Sequence, residues 1–353
     1  MSFRPPRALL AIVGVLALLA AAALHFWVAP SLSKLPDDVN VTADYAGTMS
    51  VADAATGKLG APADIQVSKN VKVLSTSGNT AITQVVTTTT TPAGTGNAKG
   101  VFAVDRTTQG QAVAPSGTEV TDQKGGLTVG RPVNPGPGGF TVYDALTQTA
   151  IPVAYVGESS IAGRQVYEFT GKTTAPVADP AQAAQLQAGV AKLAPGEGKT
   201  LPKLALAAIG TTLPAAQRVP FEQMLTQLPE QVPLSYLATV DQHLWIDKQL
   251  GTVIKATSVN DIGLNIAGPK PVPLMPLLRT DVAQTPQSSQ QITDQTASSA
   301  TKLAWMQNWI PLILAILGAA LLLLSVISFG RRGHAITHES LPSTPPTKTP
   351  TGV

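Results

Sequence analysis

The residues of this chain that could do chemistry are few and widely spaced. Of four histidines, His25 falls in a long apolar run, His334 and His338 lie near the C-terminus, and His243 stands alone between them. A histidine-based metal centre needs several ligands, so neither a metal nor another cofactor is expected. There is no cysteine, which removes thiolate nucleophiles, cysteine-ligated metals and disulfide staples together. A serine hydrolase of the nucleophile-elbow type would need Gly-x-Ser-x-Gly, and none occurs to place a serine beside His243. Asp105, Glu158 and Glu168 could pair as carboxylates for glycoside chemistry, but a chain of this length offers such pairs by chance. The Pro/Gly cluster at 134–139 lacks both the GxGxxG spacing and the Lys-Ser/Thr of a phosphate loop. No catalytic residue is assigned, and the chain reads as a non-enzyme.

The elements that would have to position any site are dominated by membrane. Of 353 residues 44% are hydrophobic and 13% charged, a lean charge content for a soluble protein. Two uninterrupted apolar runs, 8–29 and 310–329, are each long enough to cross a hydrocarbon core of about 30 Å at about 1.5 Å rise per residue. Arg4 and Arg7 precede the first run and Arg331 and Arg332 follow the second, which by the positive-inside rule puts both ends in the cytoplasm. Trp27, Trp305 and Trp309 then fall at the outer interface, where amphipathic rings collect. A signal peptide cleaved near the alanines at 20–23 is the competing reading of the first run. That run continues through Leu24, Phe26, Trp27 and Val28, which favours a retained anchor. The net charge of +3 is scattered, with no basic stripe for a nucleic acid.

Between the runs the composition shifts to Thr, Val, Gly, Pro and Gln, with frequent turn signals and short alternating segments. Ile65, Val67, Val71 and Val73 share one face of an extended strand, and further strands are expected at 82–91, 101–105, 140–144, 153–157 and 164–171. Residues 179–230 read as a small helical insertion, with Pro180 in a first helical turn. The clearest local motif is a hairpin over 243–257 that turns between Asp247 and Gly251, with Gly251 supplying a positive φ. In that register Trp245 faces Val253, and Leu244, Ile246 and Ile254 share the other side; both faces are apolar and need cover. Trp245 is expected in the core. After Asp261 the chain turns proline-rich at 269–276 and then polar at 285–299, which reads as a stalk or linker into the second apolar run.

The plan is therefore a cytoplasmic N-terminus (1–7), a transmembrane helix (8–29), an extracytoplasmic β-rich domain (30–284), a polar stalk (285–308), a second transmembrane helix (309–329) and a disordered cytoplasmic tail (330–353). The fold class is mainly β with a short helical insertion (α+β), a curved antiparallel sheet or sandwich between two anchors in the cytoplasmic membrane. Tyr143-Asp144, the segments 152–157 and 161–171, Trp245-Ile246-Asp247 and 251–255, set between terminal anchors, resemble an actinobacterial envelope family of unknown function sometimes labelled PorA-family porins. The resemblance spans most of residues 8–330 and implies a mycobacterial or corynebacterial type of envelope, with no catalytic residues. An outer-membrane barrel needs aromatic girdles and lipid-facing alternation; with 5% aromatic residues a channel is not expected. Two functions are carried forward: binding or passing a membrane lipid, and scaffolding other envelope proteins.

Overall fold

The computed structural model describes residues 7–53, 56–192, 198–211 and 215–330. In chain order they form α1 (Arg7–Ala23), a π-helical turn (Leu24–Val28), α2 (Ala29–Leu32), β1 (Asn40–Val51), β2 (Ala63–Ser77), β3 (Thr80–Thr91), β4 (Gly94–Asp105), β5 (Phe140–Asp144), β6 (Thr149–Ile161) and β7 (Arg164–Pro176). There follow α3 (Pro180–Ala191), β8 (Thr200–Pro202), α4 (Lys203–Gly210), α5 (Ala215–Thr226), β9 (Gln231–Asp247), β10 (Val253–Ile266), β11 (Val272–Gln284), α6 (Pro286–Ala304), a second π-helical turn (Trp305–Trp309) and α7 (Ile310–Gly330). The chain divides into two units, Met1–Pro30 with Ala304–Val353, and Ser31–Leu303.

In the first unit α1 packs against α7, and both are long and apolar enough to cross a bilayer. The crossing is tight because it is made of glycine: a Cβ on Gly14 would lie 2.9 Å from the Gly318 carbonyl oxygen, and one on Gly318 2.8 Å from that of Gly14. Such close backbone approach is how helices associate where no hydrophobic force separates them from lipid. Outward-facing Leu16, Leu19, Leu323 and Val326 remain exposed, as lipid-facing residues should be. The π-helical turns carry the exposed Trp27, Trp305 and Trp309, and Gln307 donates to the Ala29 carbonyl at 3.4 Å. The flanking Arg4, Arg331 and Arg332, with His334, His338 and the expected tail, lie outside the described residues.

The second unit is one antiparallel sheet of 11 strands in the order β4-β3-β2-β1-β11-β10-β9-β7-β6-β5, with β8 paired to β9. This is the curved antiparallel sheet expected, and it curls far enough to bring its two end strands together. Phe102 of β4 stacks edge-on to Tyr143 of β5 at 5.4 Å, and Val129 packs beside both. The long connection between them fills the gap: Gln111 bridges to Val104 of β4, and Leu127 pairs in parallel with Val142 of β5.

Each end of the rolled sheet has a helical cover. At the end formed by the start of β9 and the end of β10, α3, α4 and α5 bury Val190, Leu206, Phe221 and Leu225 against Tyr236, Leu264 and Met275. Asp179 caps α3 by accepting from the Gln182 amide at 2.7 Å, with Pro180 following it in the first turn, as expected. At the other end α6 sets Ile292 against Val166, Ile254, Trp245, Val41 and Ala43.

Two expectations need correction here. Residues 286–304, expected within a polar stalk, are the helix α6, with Ser288, Ser289, Ile292, Thr293 and Thr296 buried. The segment has no glycine or internal proline, and Thr293 and Thr296 return their hydroxyls to the Ser289 and Ile292 carbonyls at 2.7 Å, so a Ser/Thr-rich face is buried without orphaned donors. The proline-rich stretch, read as linker, runs into the strand β11: Pro273 and Pro276 pair opposite Asn265 and Gly263, where the β10–β11 register shifts.

Candidate functional site

The hairpin of β9 and β10 turns where expected, at Asp247 to Gly251, but its interior differs. Gly251 has φ +70°, and an added Cβ would collide with the Arg131 and Pro132 carbonyl oxygens, so the position demands glycine twice over. The loop at 131–134 docks on this turn, with the Arg131 amide donating to Gly251 O at 3.0 Å and the Asn134 amide to Gln249 O at 2.7 Å. Asp247 is 1% exposed and is held by Arg164, whose Nε and Nη2 donate to its two oxygens at 2.8 Å each, while the Gln249 and Leu250 amides donate to Oδ1 at 3.0 and 2.7 Å. The pair locks β7 to the β9–β10 turn. This is a structural use of a buried carboxylate with no valence left for a substrate.

Trp245 lies opposite Lys255, not Val253, because a bulge at Ile254 shifts the register; Val253 pairs with Ile246. Trp245 is half-buried rather than in the core, stacked on His243 at 3.8 Å with the Lys255 ammonium 4.5 Å from its ring centre. His243 Nε2 sits 3.5 Å from Glu168 Oε2. Ser159 first, then Trp245 and His243, hold the Glu168 carboxyl below its ordinary range against the opposing effect of burial, while His243 Nε2 itself makes no hydrogen bond. The serine engages the carboxylate and not the histidine, so the three do not form a nucleophilic relay. Asp105 caps its own turn through the Thr107 and Thr108 amides at 2.9 and 2.7 Å, and Glu158 pairs with Lys248 at 2.5 Å. Both faces of the hairpin are packed: Leu244, Ile246 and Ala256 with Phe169 and Val153, and Ile254 with Val166 and Ile292. Its two-sided apolarity is thus explained by the second layer, not by a ligand.

Accessible apolar surface lies instead on the inner side of β1–β3. Across these strands Ala43 pairs with Lys69 and Lys69 with Thr87, Val41 with Val71 and Val71 with Val85, and Tyr45 with Val67. By strand alternation they share one face, and every one of them is half-buried, while Thr42, Asp44 and Ala46 on the outer side are exposed. This inner face looks toward the far half of the sheet, since Tyr45 packs with Phe140 and Val142 of β5 in one cluster with Leu244 and Phe169. The result is a half-buried apolar sheet face with a lysine on it.

That lysine is the feature sequence reasoning missed. Lys69 keeps solvent contact, yet protein surrounds it closely enough that burial lowers its pKa below the ordinary 10.5, with the attraction of Asp144 only partly opposing. Among the described residues Lys69 makes no ion pair, and the Asp144 carboxylate is taken up by the Thr147 amide and hydroxyl at 2.8 and 2.7 Å. Tyr45 beside it has its phenol pushed up to about 12, by burial first and then by Asp44. Opposite Tyr45 across β1 and β11 is Gln284, 4% exposed, whose amide nitrogen and oxygen are both buried without a hydrogen-bond partner. No group of three or more His, Cys, Asp or Glu among the described residues is placed to hold a metal ion.

Fold and site together define a β-rich domain, with a half-buried lysine on an apolar sheet face, in a chain that also carries two helices able to span a membrane. The sequence pattern of the porin PorA family matches residues 7–327, nearly the whole of that arrangement, and the chain belongs to this family. Among curated proteins nothing matches it. Of solved structures, the peroxisomal multifunctional enzyme type 2 of Drosophila melanogaster is similar over 69% of this chain and 37% of its own, at 12% identity and a TM-score of 0.11. HtdX of Mycobacterium tuberculosis is similar over 77% of this chain and 95% of its own, at 11% identity and a TM-score of 0.12. Likenesses that faint say nothing of fold or function.

Proposed function

We propose that this is a non-catalytic, two-pass protein of the cytoplasmic membrane whose β domain lies outside the cytoplasm and takes the acyl chain of a lipid onto the inner face of β1–β3. The observation that carries the reading is the half-buried inner face of β1–β3, where Val67 and Val71 flank Lys69, beside Val41 and Ala43, which lean on α6, and Val85, which leans on the β3–β4 core. Each methylene buried there would contribute about 0.8 kcal/mol, so an acyl chain binds without any reacting group.

The outer face of the same strands supports a domain in water over a membrane barrel. Asn70 donates to Asn40 and Thr42 at 2.9 Å and Thr88 to Asn97 at 2.7 Å. A spanning barrel would present apolar side chains there. The reading is tested by native mass spectrometry of the full chain purified in non-ionic detergent. One retained or added acyl lipid per chain is expected; a folded chain that keeps none and takes up none ends the proposal.

The scaffold reading has one observation of its own. Residues 94–100 of β4 are almost all exposed and pair only inward, with β3, and an open strand edge can add a strand from a partner. Lys99→Pro would abolish recovery of such a partner and leave lipid uptake unchanged.

A further inference from the structure

We propose that Lys69, Tyr45 and Gln284 seat the anionic headgroup, a carboxylate or a phosphate, of the lipid whose chain lies on the inner face of β1–β3. This rests on the lipid reading above and adds the chemical class of the ligand and its orientation.

The three side chains lie on three neighbouring strands and one face. Gln284 of β11 is directly opposite Tyr45 of β1, and Tyr45 is opposite Val67 of β2, two residues from Lys69. Tyr45 and Lys69 are diagonal neighbours, about 7–8 Å apart between Cα atoms, and Gln284 lies one strand beyond Tyr45, so Tyr45 stands between the two. Between them they offer the ammonium, phenol and amide N–H donors that an oxyanion needs. Two of them are incompletely used by the protein. Among the described residues the half-buried Lys69 makes no ion pair, and both polar atoms of the buried Gln284 amide are orphaned. A buried polar group without a partner is disfavoured, and a buried charge more so. An anionic ligand corrects both at once. A cationic headgroup would meet the Lys69 charge, and a neutral one would leave it unpaired.

Orientation follows from the neighbours. Lys69 is flanked by Val67 and Val71 on its own strand and by Ala43 across β1, so a chain attached to the headgroup meets apolar surface immediately. A free inorganic anion would gain nothing from that surface.

The experiment uses the full chain in non-ionic detergent at about pH 8, where a fatty carboxyl is ionised. Native mass spectrometry compares palmitic acid, methyl palmitate and inorganic phosphate as probes. Palmitic acid should bind about tenfold more tightly than its methyl ester, the scale of one charge-assisted hydrogen bond. Lys69→Met should erase that preference, Lys69→Arg should retain it, and Gln284→Leu should reduce it. Should Lys69→Met fail to fold, the ester comparison on the unaltered chain and Gln284→Leu still decide. Equal binding of acid and ester, or a preference that survives Lys69→Met, overturns the headgroup seat and leaves the lipid reading standing. Loss of both acid and ester binding overturns the lipid reading itself. Phosphate binding without palmitate binding makes the site one for a free anion and overturns the proposal.

Discussion

A half-buried lysine that makes no ion pair among the described residues makes the stability of the domain depend on pH in a definite direction. Burial lowers the Lys69 pKa from 10.5, so the unfolded chain keeps this proton to a higher pH than the folded one. Stability therefore rises with pH between the lowered value and 10.5 and is lost as pH falls through it. Tyr45, raised from 10.0 to about 12, acts in the opposite sense above pH 10.0, so the effect of Lys69 is read below that. Lys69→Met should raise the melting temperature at about pH 7, by about 2–4 °C for each kcal/mol recovered in a domain of this size, and flatten its rise toward pH 10.0. A lower melting temperature would mean that the ammonium has a partner. The Asp247–Arg164 pair is the opposite case, a buried charge fully satisfied. Arg164→Met should cost about 3–5 kcal/mol in denaturant unfolding because it strands Asp247. Gly251→Ala should cost at least about 1–2 kcal/mol for the left-handed backbone alone, plus the clash with the 131–132 carbonyls.

Among the elements, legibility followed how locally each was specified. β5 spans 140–144 as expected, being bounded by the Pro/Gly loop before Phe140 and the turn after Asp144. The hairpin turn was legible because Gly251 marks it, whereas its register was not, since the bulge at Ile254 has no signature beyond one apolar residue among several. α6 was hidden by composition: serines and threonines read as a linker until a groove exists to bury them. β1 and β11 were passed over because Thr, Ala and Gly dilute the alternation of one and prolines interrupt the other. The apolar face around Lys69 could not be seen at all, because Lys69 becomes half-buried only when the sheet rolls. If α6 closes the sheet end, Ile292→Ala should destabilise the domain by about 2–5 kcal/mol and expose Trp245, with a red-shifted emission. An unchanged melt would place α6 outside the cooperative unit.

At the scale of the whole molecule, two helices long and apolar enough to span a membrane, packed through paired glycines, and a domain with a polar outer face give a chain whose membrane topology can be tested directly. Since no cysteine is native, single cysteines report topology cleanly: in intact cells one at Ser116 should react with an impermeant thiol reagent, and one at Ser2 should not. Reaction at Ser2 before lysis would reverse the orientation. The central claim is that lipid occupies the inner face of β1–β3, and photo-crosslinking tests it most directly. The full chain in a lipid nanodisc is loaded with a diazirine-bearing fatty acid, irradiated and mapped by peptide mass spectrometry. The account predicts adducts on Asn40–Val51, Ala63–Ser77 and Thr80–Thr91, competed by unlabelled palmitate. Adducts confined to Arg7–Ala23 and Ile310–Gly330 would contradict it, leaving a protein that touches lipid only with its anchors.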